Sequence, residues 1–198
     1  NDGSFELGTA EGGRKIFLMG MNYLNEYKSS REALNTYYLK TIHHEFTHIL
    51  HQTVEFSTAY QFITTDYKVD KCFNREFTDF LSRGFITDYA QKNYHEDFAE
   101  MVSTYVTSTA DEWEALLKKA SYAPVKDKDG NLVYDSNGLV VADTKTKANG
   151  RDLIEQKLSI MRSYMQDQWG IDIDELRASI LQRENDVVNG KVDLKNLD

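Results

Sequence analysis

His44-Glu45-Phe46-Thr47-His48 is the one stretch of this chain whose residue types and spacing together dictate a chemistry. On an α-helix, four residues turn through roughly 400°, so His44 and His48 project from nearly the same face, about 6 Å apart along the axis. Two neutral imidazoles so placed can bind one Zn²⁺ and leave room for a third protein ligand and a water. Glu45, next to the first imidazole, can reach that water and take its proton. The residues point to a zinc peptidase, provided that the segment is helical and a third ligand exists.

Candidates for that ligand are His43, His51, His95, Glu96 and Glu100. His51 faces roughly the same way as His44 but lies two turns on, about 10.5 Å along a straight helix. That is too far for both to share an ion held at about 2 Å from each nitrogen. His51 suits the lining of the cleft or a hydrogen bond behind a ligand, or is simply a polar residue at the helix end. His43 points about 100° away from His44 and reads as structural or solvent-facing. Glu96 and Glu100, one turn apart, share a face of a second helix. A carboxylate from an antiparallel neighbouring helix would complete a His₂Glu set. Glu100 could then accept the other ring N–H of a ligand histidine and fix its tautomer. The competing reading of the two glutamates is a charge pair on an amphipathic surface.

The elements that must position these groups are legible from periodicity. From Arg31 to Thr53 there is no Gly or Pro, and Leu34, Tyr37, Tyr38, Thr41, Ile42, Glu45, His48, Ile49 and Gln52 follow one helical stripe. Ser29 or Ser30 is the expected N-cap. Tyr94 to about Ser108 is a second helix with Phe98, Met101, Val102, Tyr105 and Val106 as its apolar stripe. Arg14 to Gly20 reads as a strand. Further helices are expected at Phe73–Leu81, stopped by Gly84, at Asp111–Ala120, at Arg151–Gln168 and at Ile173–Val188, the last two separated by Trp169-Gly170. Asn131–Tyr134 and Gly138–Val141 flank Asp135-Ser136-Asn137 as a β-hairpin. Asp127–Asn131 is a turn rather than a calcium loop, because its glycine falls too early and the closing glutamate is missing.

His44–His48 followed by Glu96-Asp97-Phe98-Ala99-Glu100 resembles the gluzincin pattern. The stretch Tyr89 to Glu100 is similar to the catalytic-domain motif of anthrax lethal factor, where a tyrosine precedes the ligand glutamate by the same seven residues. The fuller string His43-His44-Glu45-Phe46-Thr47-His48-Ile49-Leu50-His51-Gln52 resembles the "putative zinc-binding metallopeptidases" of Bacteroidetes, many of them surface lipoproteins. The resemblance spans roughly residues 14 to 109. It implies His44, His48 and Glu96 as ligands of one catalytic Zn²⁺ and Glu45 as general base. It also implies Tyr89 as the residue that hydrogen-bonds the oxyanion or assists the leaving amine, with Glu100 orienting a ligand histidine. The strand before the active-site helix would pair with extended substrate, or be an ordinary core strand. A peptide or protein substrate, endopeptidase activity, and a cell-surface or periplasmic lipoprotein with a lipid anchor follow from the same resemblance.

The expected fold class is α+β and mostly helical. It has a zincin-like core with an active-site helix, a small upstream β-sheet, and a C-terminal helical part carrying a β-hairpin. A length of 198 residues suits a single domain, with 1–122 as catalytic core and 123–198 as hairpin plus C-terminal helices. A hydrophobic share of 40% with 12% aromatics argues for a packed core rather than disorder. The net charge of −9 speaks against nucleic acid as a partner. There is no transmembrane run, and the single Cys72 excludes an internal disulfide. Because the sequence begins at Asn1, a targeting segment is expected to precede it. Two other functions compete: a metal-containing binding module for peptides or glycans, and a non-peptide hydrolase on the same scaffold. Glu45 weighs against the first, since structural zinc sites favour Cys and four closed ligands and have no use for a base.

Overall fold

The computed structural model describes residues 7–68, 79–136 and 140–192. It opens on a hairpin in which β1 (Gly8–Glu11) pairs antiparallel with β2 (Lys15–Leu18), in register from Gly8↔Leu18 to Glu11↔Lys15. The turn between them places Gly12 and Gly13 at φ 57° and 64°. Positive φ at both central positions is the hand that a tight hairpin needs and that side chains resist. The Gly13 amide donates to Gln52 Oε1 at 2.7 Å, which fastens the turn to the end of the long helix that follows.

That helix comes after a short α1 (Leu24–Tyr27) and has three parts: α2 (Arg31–Leu34), a π-helical stretch Asn35–Leu39, and α3 (Lys40–Thr53). Ser30 is its N-cap, accepting from the Ala33 amide at 3.2 Å. The run Arg31–Thr53 thus has the expected extent but not a uniform pitch. A π turn holds more than 3.6 residues, so positions on its two sides no longer share one stripe. Accordingly Tyr38 is buried while Tyr37 is exposed, and α3 buries His44, Glu45, Thr47, Leu50 and His51.

The remaining α-helices and strands are α4 (Tyr94–Thr107), α5 (Ala110–Ala120), β3 (Tyr122–Pro124), β4 (Ala142–Lys147), α6 (Gly150–Trp169) and α7 (Ile173–Val188), with 3₁₀ turns at Thr58–Phe62, Phe80–Arg83 and Tyr89–Gln91 before α4. In all, 59% of the structure is helical, with small antiparallel strand pairs. β3 pairs antiparallel with β4, and two isolated bridges, Lys126↔Leu132 and Tyr134↔Val140, tie down the segment between them. Asn137, Gly138 and Leu139 of the expected hairpin lie outside the described residues; on either side of them Tyr134 and Val140 form the bridge that closes it. Asp127–Gly130 is a turn closed by the Asp127 carboxylate, which accepts from the amides of Asp129 and Asn131. Most of the expected helix Phe73–Leu81 lies outside the described residues; the described end is a 3₁₀ turn, Phe80–Arg83, stopped by Gly84 at φ 85°. No helix among the described residues is long and apolar enough to cross a membrane.

The chain divides into two compact units. One comprises the described residues of Asn1–Glu55, Val102–Thr109 and Met165–Asp198; the other those of Phe56–Met101 and Ala110–Tyr164. In the first, Leu34, Tyr38 and Val187 form a core, with Leu24, Leu39, Val188 and Val192 packed against it. Arg31 reaches the buried Glu184 at 3.0 Å, and Arg31 and Asn35 both donate to the Thr107 carbonyl at the end of α4. Those bonds satisfy a carbonyl that has no partner within its own helix. In the second unit Phe56 stacks on Phe98 at 4.0 Å, and Tyr164 meets Phe98 edge-on. Beside them lies a wholly buried ion pair, Lys157 Nζ to Asp97 Oδ2 at 2.6 Å.

Candidate metal centre and active site

The first unit carries His43, His44, His48 and His51, all on α3. His44 Nε2 and His48 Nε2 lie 3.0 Å apart on α3. Two nitrogens bound at 2.0–2.1 Å to one tetrahedral ion sit about 3.3 Å from each other. The pair therefore has the separation and the donor chemistry that a shared zinc ion requires. His48 Nδ1 lies 2.7 Å from His51 Nε2. If His48 offers its Nε2 lone pair to a metal, its proton sits on Nδ1 and is donated to His51, so His51 can fix the tautomer and the ring orientation. His43, on the adjacent face, is pushed down to about 4 by burial and is a neutral imidazole at physiological pH.

Glu45 is buried, and the strand β1 forms a wall against it. A Cβ at Gly8 would stand 2.8 Å from Glu45 Cγ, 2.9 Å from Thr41 Cγ2 and 3.2 Å from Glu45 Oε1. Only a glycine lets the backbone approach this closely. Gly8→Ala is expected to lower stability by about 1–3 kcal/mol through overpacking. A fall in the urea midpoint at unchanged m-value would register it, and an unchanged midpoint would show that β1 can retreat freely.

The second unit carries Glu96 and Glu100. Asn93 caps α4, its Oδ1 accepting from the amides of His95 at 2.9 Å and Glu96 at 3.0 Å. Glu96 and Asp97 thus occupy the first turn, where the helix dipole favours negative charge. Glu96 Oε1 accepts from the Tyr89 hydroxyl at 3.1 Å and from Lys92 Nζ at 3.0 Å, and Lys92 also donates to the Tyr89 oxygen at 2.9 Å. Burial pushes the Tyr89 phenol up to about 12, with the Lys92 hydrogen bond pulling the other way. At neutral pH it is an uncharged donor. Glu100, buried one turn beyond Glu96, accepts from Thr87 Oγ1 at 2.6 Å, and Thr87 Oγ1 in turn accepts from the Ala90 amide. Glu100 is thereby tied to the short turn that holds Tyr89. His95 packs its ring on Tyr94 and Phe56.

Sequence reasoning missed Lys92, Thr87 and Gly8. Lys92 had a signal, its spacing of four from Glu96. Thr87 and Gly8 had none, since each matters through a contact distant in sequence.

Residues 1–174 match the family described as "putative zinc-binding metallo-peptidase". No curated protein is matched by sequence. The crystal structure of a "putative zinc-binding metallo-peptidase" from Bacteroides caccae is similar, with a TM-score of 0.71 and 32% identity over 99% of this chain. The chain spans 64% of the length of that protein. With the match running through both the histidine helix and the glutamate helix, the chain belongs to the family of "putative zinc-binding metallo-peptidases".

Proposed function

We propose that this chain hydrolyses peptide bonds as a gluzincin-type zinc endopeptidase, with His44, His48 and Glu96 holding one ion and Glu45 as general base. The observation that carries the reading is the 3.0 Å separation of the two imidazole nitrogens on α3, beside a buried carboxylate one residue from the first of them. Bound zinc would supply Lewis acidity for the scissile carbonyl and acidify a water to a pKa near 7. Glu45 takes the proton of the attacking water and delivers it to the leaving amide nitrogen. The Tyr89 hydroxyl, uncharged and a donor, hydrogen-bonds the oxyanion as charge develops there. His51 holds His48 in the tautomer that presents Nε2, and the motif resemblance assigns Glu100 the orienting of a ligand histidine. On β2, Lys15 and Phe17 are exposed while Ile16 and Leu18 are half-buried, an alternation suited to receiving an extended peptide on the hairpin. On the motif resemblance alone, we also propose a cell-surface or periplasmic lipoprotein acting on peptide or protein substrates.

The test is zinc analysis of the purified protein together with cleavage of a peptide library. One zinc per chain and library cleavage are expected. Glu96→Ala is expected to lose the metal, and His51→Ala to retain most of it. The reverse outcome would make His51 the third ligand, and a zinc-free wild type under full metal supply would remove the site altogether. Bound zinc without cleavage would favour a binding module.

A further inference from the structure

We propose that Lys92 is a positioning residue for this reaction: its ammonium steadies the Tyr89 phenol and frees it to turn from Glu96 to the oxyanion. The inference rests on the roles proposed above for Tyr89 and Glu96. Its basis is a closed triangle of three short contacts within one unit. Lys92 Nζ stands 2.9 Å from the Tyr89 oxygen and 3.0 Å from Glu96 Oε1, and the Tyr89 hydroxyl stands 3.1 Å from that same Oε1. The ammonium also lies 5.0 Å from the centre of the Tyr89 ring.

A phenol has one proton to give. While that proton points at Glu96 it cannot serve a transition state. When it turns away, a carboxylate only 14% exposed would lose a donor, and such a loss is costly in a partly buried site. Lys92 removes the conflict because an ammonium has three donors and no acceptor. One N–H holds Glu96 Oε1 throughout and a second stays on the Tyr89 oxygen. A phenol that accepts a hydrogen bond from a cation is itself a stronger donor, since linked hydrogen bonds polarise one another. No proton changes owner at Lys92; it works as a fixed charge.

The same geometry gives an opposite effect on metal binding. A positive charge 3.0 Å from Glu96 offsets part of the negative charge that a ligand carboxylate offers to a divalent cation. Lys92 therefore taxes zinc affinity while assisting turnover. An ordinary exposed i, i+4 pair would do neither, being worth little in water.

The experiment compares wild type, Lys92→Met, Tyr89→Phe and the double variant, as zinc-loaded full chains. It measures kcat and KM on one peptide selected from the library, and zinc affinity by competition with a chromophoric chelator. Lys92→Met is expected to lower kcat about 10- to 100-fold, the value of one hydrogen bond to a charged group. KM should move little, and zinc should bind as tightly as in wild type or more so. In the Tyr89→Phe background the same change should cost kcat almost nothing more, because its effect passes through the phenol. Lys92→Arg should restore part of the rate. Multiplicative losses in the double variant, or looser zinc in Lys92→Met, would overturn the inference. If instead the wild type holds no zinc, or Tyr89→Phe is fully active, the underlying reading fails first, so the two failures are distinguishable.

Discussion

Glu45→Gln is expected to cut peptide hydrolysis by about 10²- to 10⁴-fold, the usual contribution of a positioned general base, while leaving the zinc content at one per chain. The substitution separates chemistry from packing. Glutamine has the same length and branching, so it fills the space that β1 leaves at Gly8, where Glu45 Cγ and Oε1 define the wall. The two imidazoles of His44 and His48 stay on the same turn of α3, and their contact does not pass through the Glu45 side chain. What the amide cannot do is accept a proton from water and carry it to the leaving nitrogen. The loss should therefore appear in kcat and in kcat/KM alike, with KM and the thermal midpoint nearly unchanged. Hydrolysis retained within a few-fold would assign the base to another group. Loss of zinc in the variant would show that Glu45 supports the metal rather than the reaction.

How much of this was legible in the sequence depends on range. Spacing of four placed His44 and His48 side by side because helical rise is the same everywhere, and the cap was legible as Ser29 or Ser30, of which Ser30 accepts from the amide three residues on. The helices at Ala110–Ala120, Gly150–Trp169 and Ile173–Val188 follow their apolar periodicity, with breaks at Pro124 and Gly170. The π turn at Asn35–Leu39 was not legible, since a widened turn needs neither Gly nor Pro. The set around Tyr89 and Glu96 was half legible: seven residues separate the two, but the cation between them emerges only when a 3₁₀ turn and the Asn93 cap fold Lys92 back. Gly8 is the extreme case. Its importance comes from Thr41 and Glu45, more than thirty residues away, and a glycine near a chain's start carries no mark of that. Lys157 did leave a trace, as a lysine between Ile154 and Met161 on a stripe otherwise apolar, a position where a charge must find a partner.

That partner sets the largest stability effect expected in this chain. Lys157 and Asp97 are both fully buried, and the ammonium lies against Asp97 Oδ2 at 2.6 Å, the Gly84 carbonyl at 2.7 Å, the Phe85 ring at 4.5 Å and the Tyr60 ring at 5.7 Å. Burial raises the Asp97 carboxyl and lowers the Lys157 ammonium, so for each group the cost of leaving water outweighs what the other returns. Such a pair is costly to break and cheap to replace. Lys157→Met alone leaves a carboxylate in a dry site, held by the Tyr67 hydroxyl at 3.0 Å and the neighbouring Tyr60 hydroxyl but by no cation among the described residues. The expected loss is about 3–5 kcal/mol, a large part of the 5–15 kcal/mol that domains possess. Asp97→Asn combined with Lys157→Met removes both charges and keeps an acceptor for Tyr67, and should return most of that loss. Urea denaturation of the wild type, both single variants and the double variant at pH 7 closes the cycle, with the double variant more stable than the single lysine variant. Equal losses in the single and double variants would mean that packing around Lys157, not its charge, holds this part of the unit. Because Asp97 directly follows Glu96 on the first turn of α4, the comparison also bears on the site. If the uncharged pair restores both stability and zinc binding, the buried ions serve the fold that presents Glu96. If stability returns without zinc, their charge helps to set the carboxylate's aim.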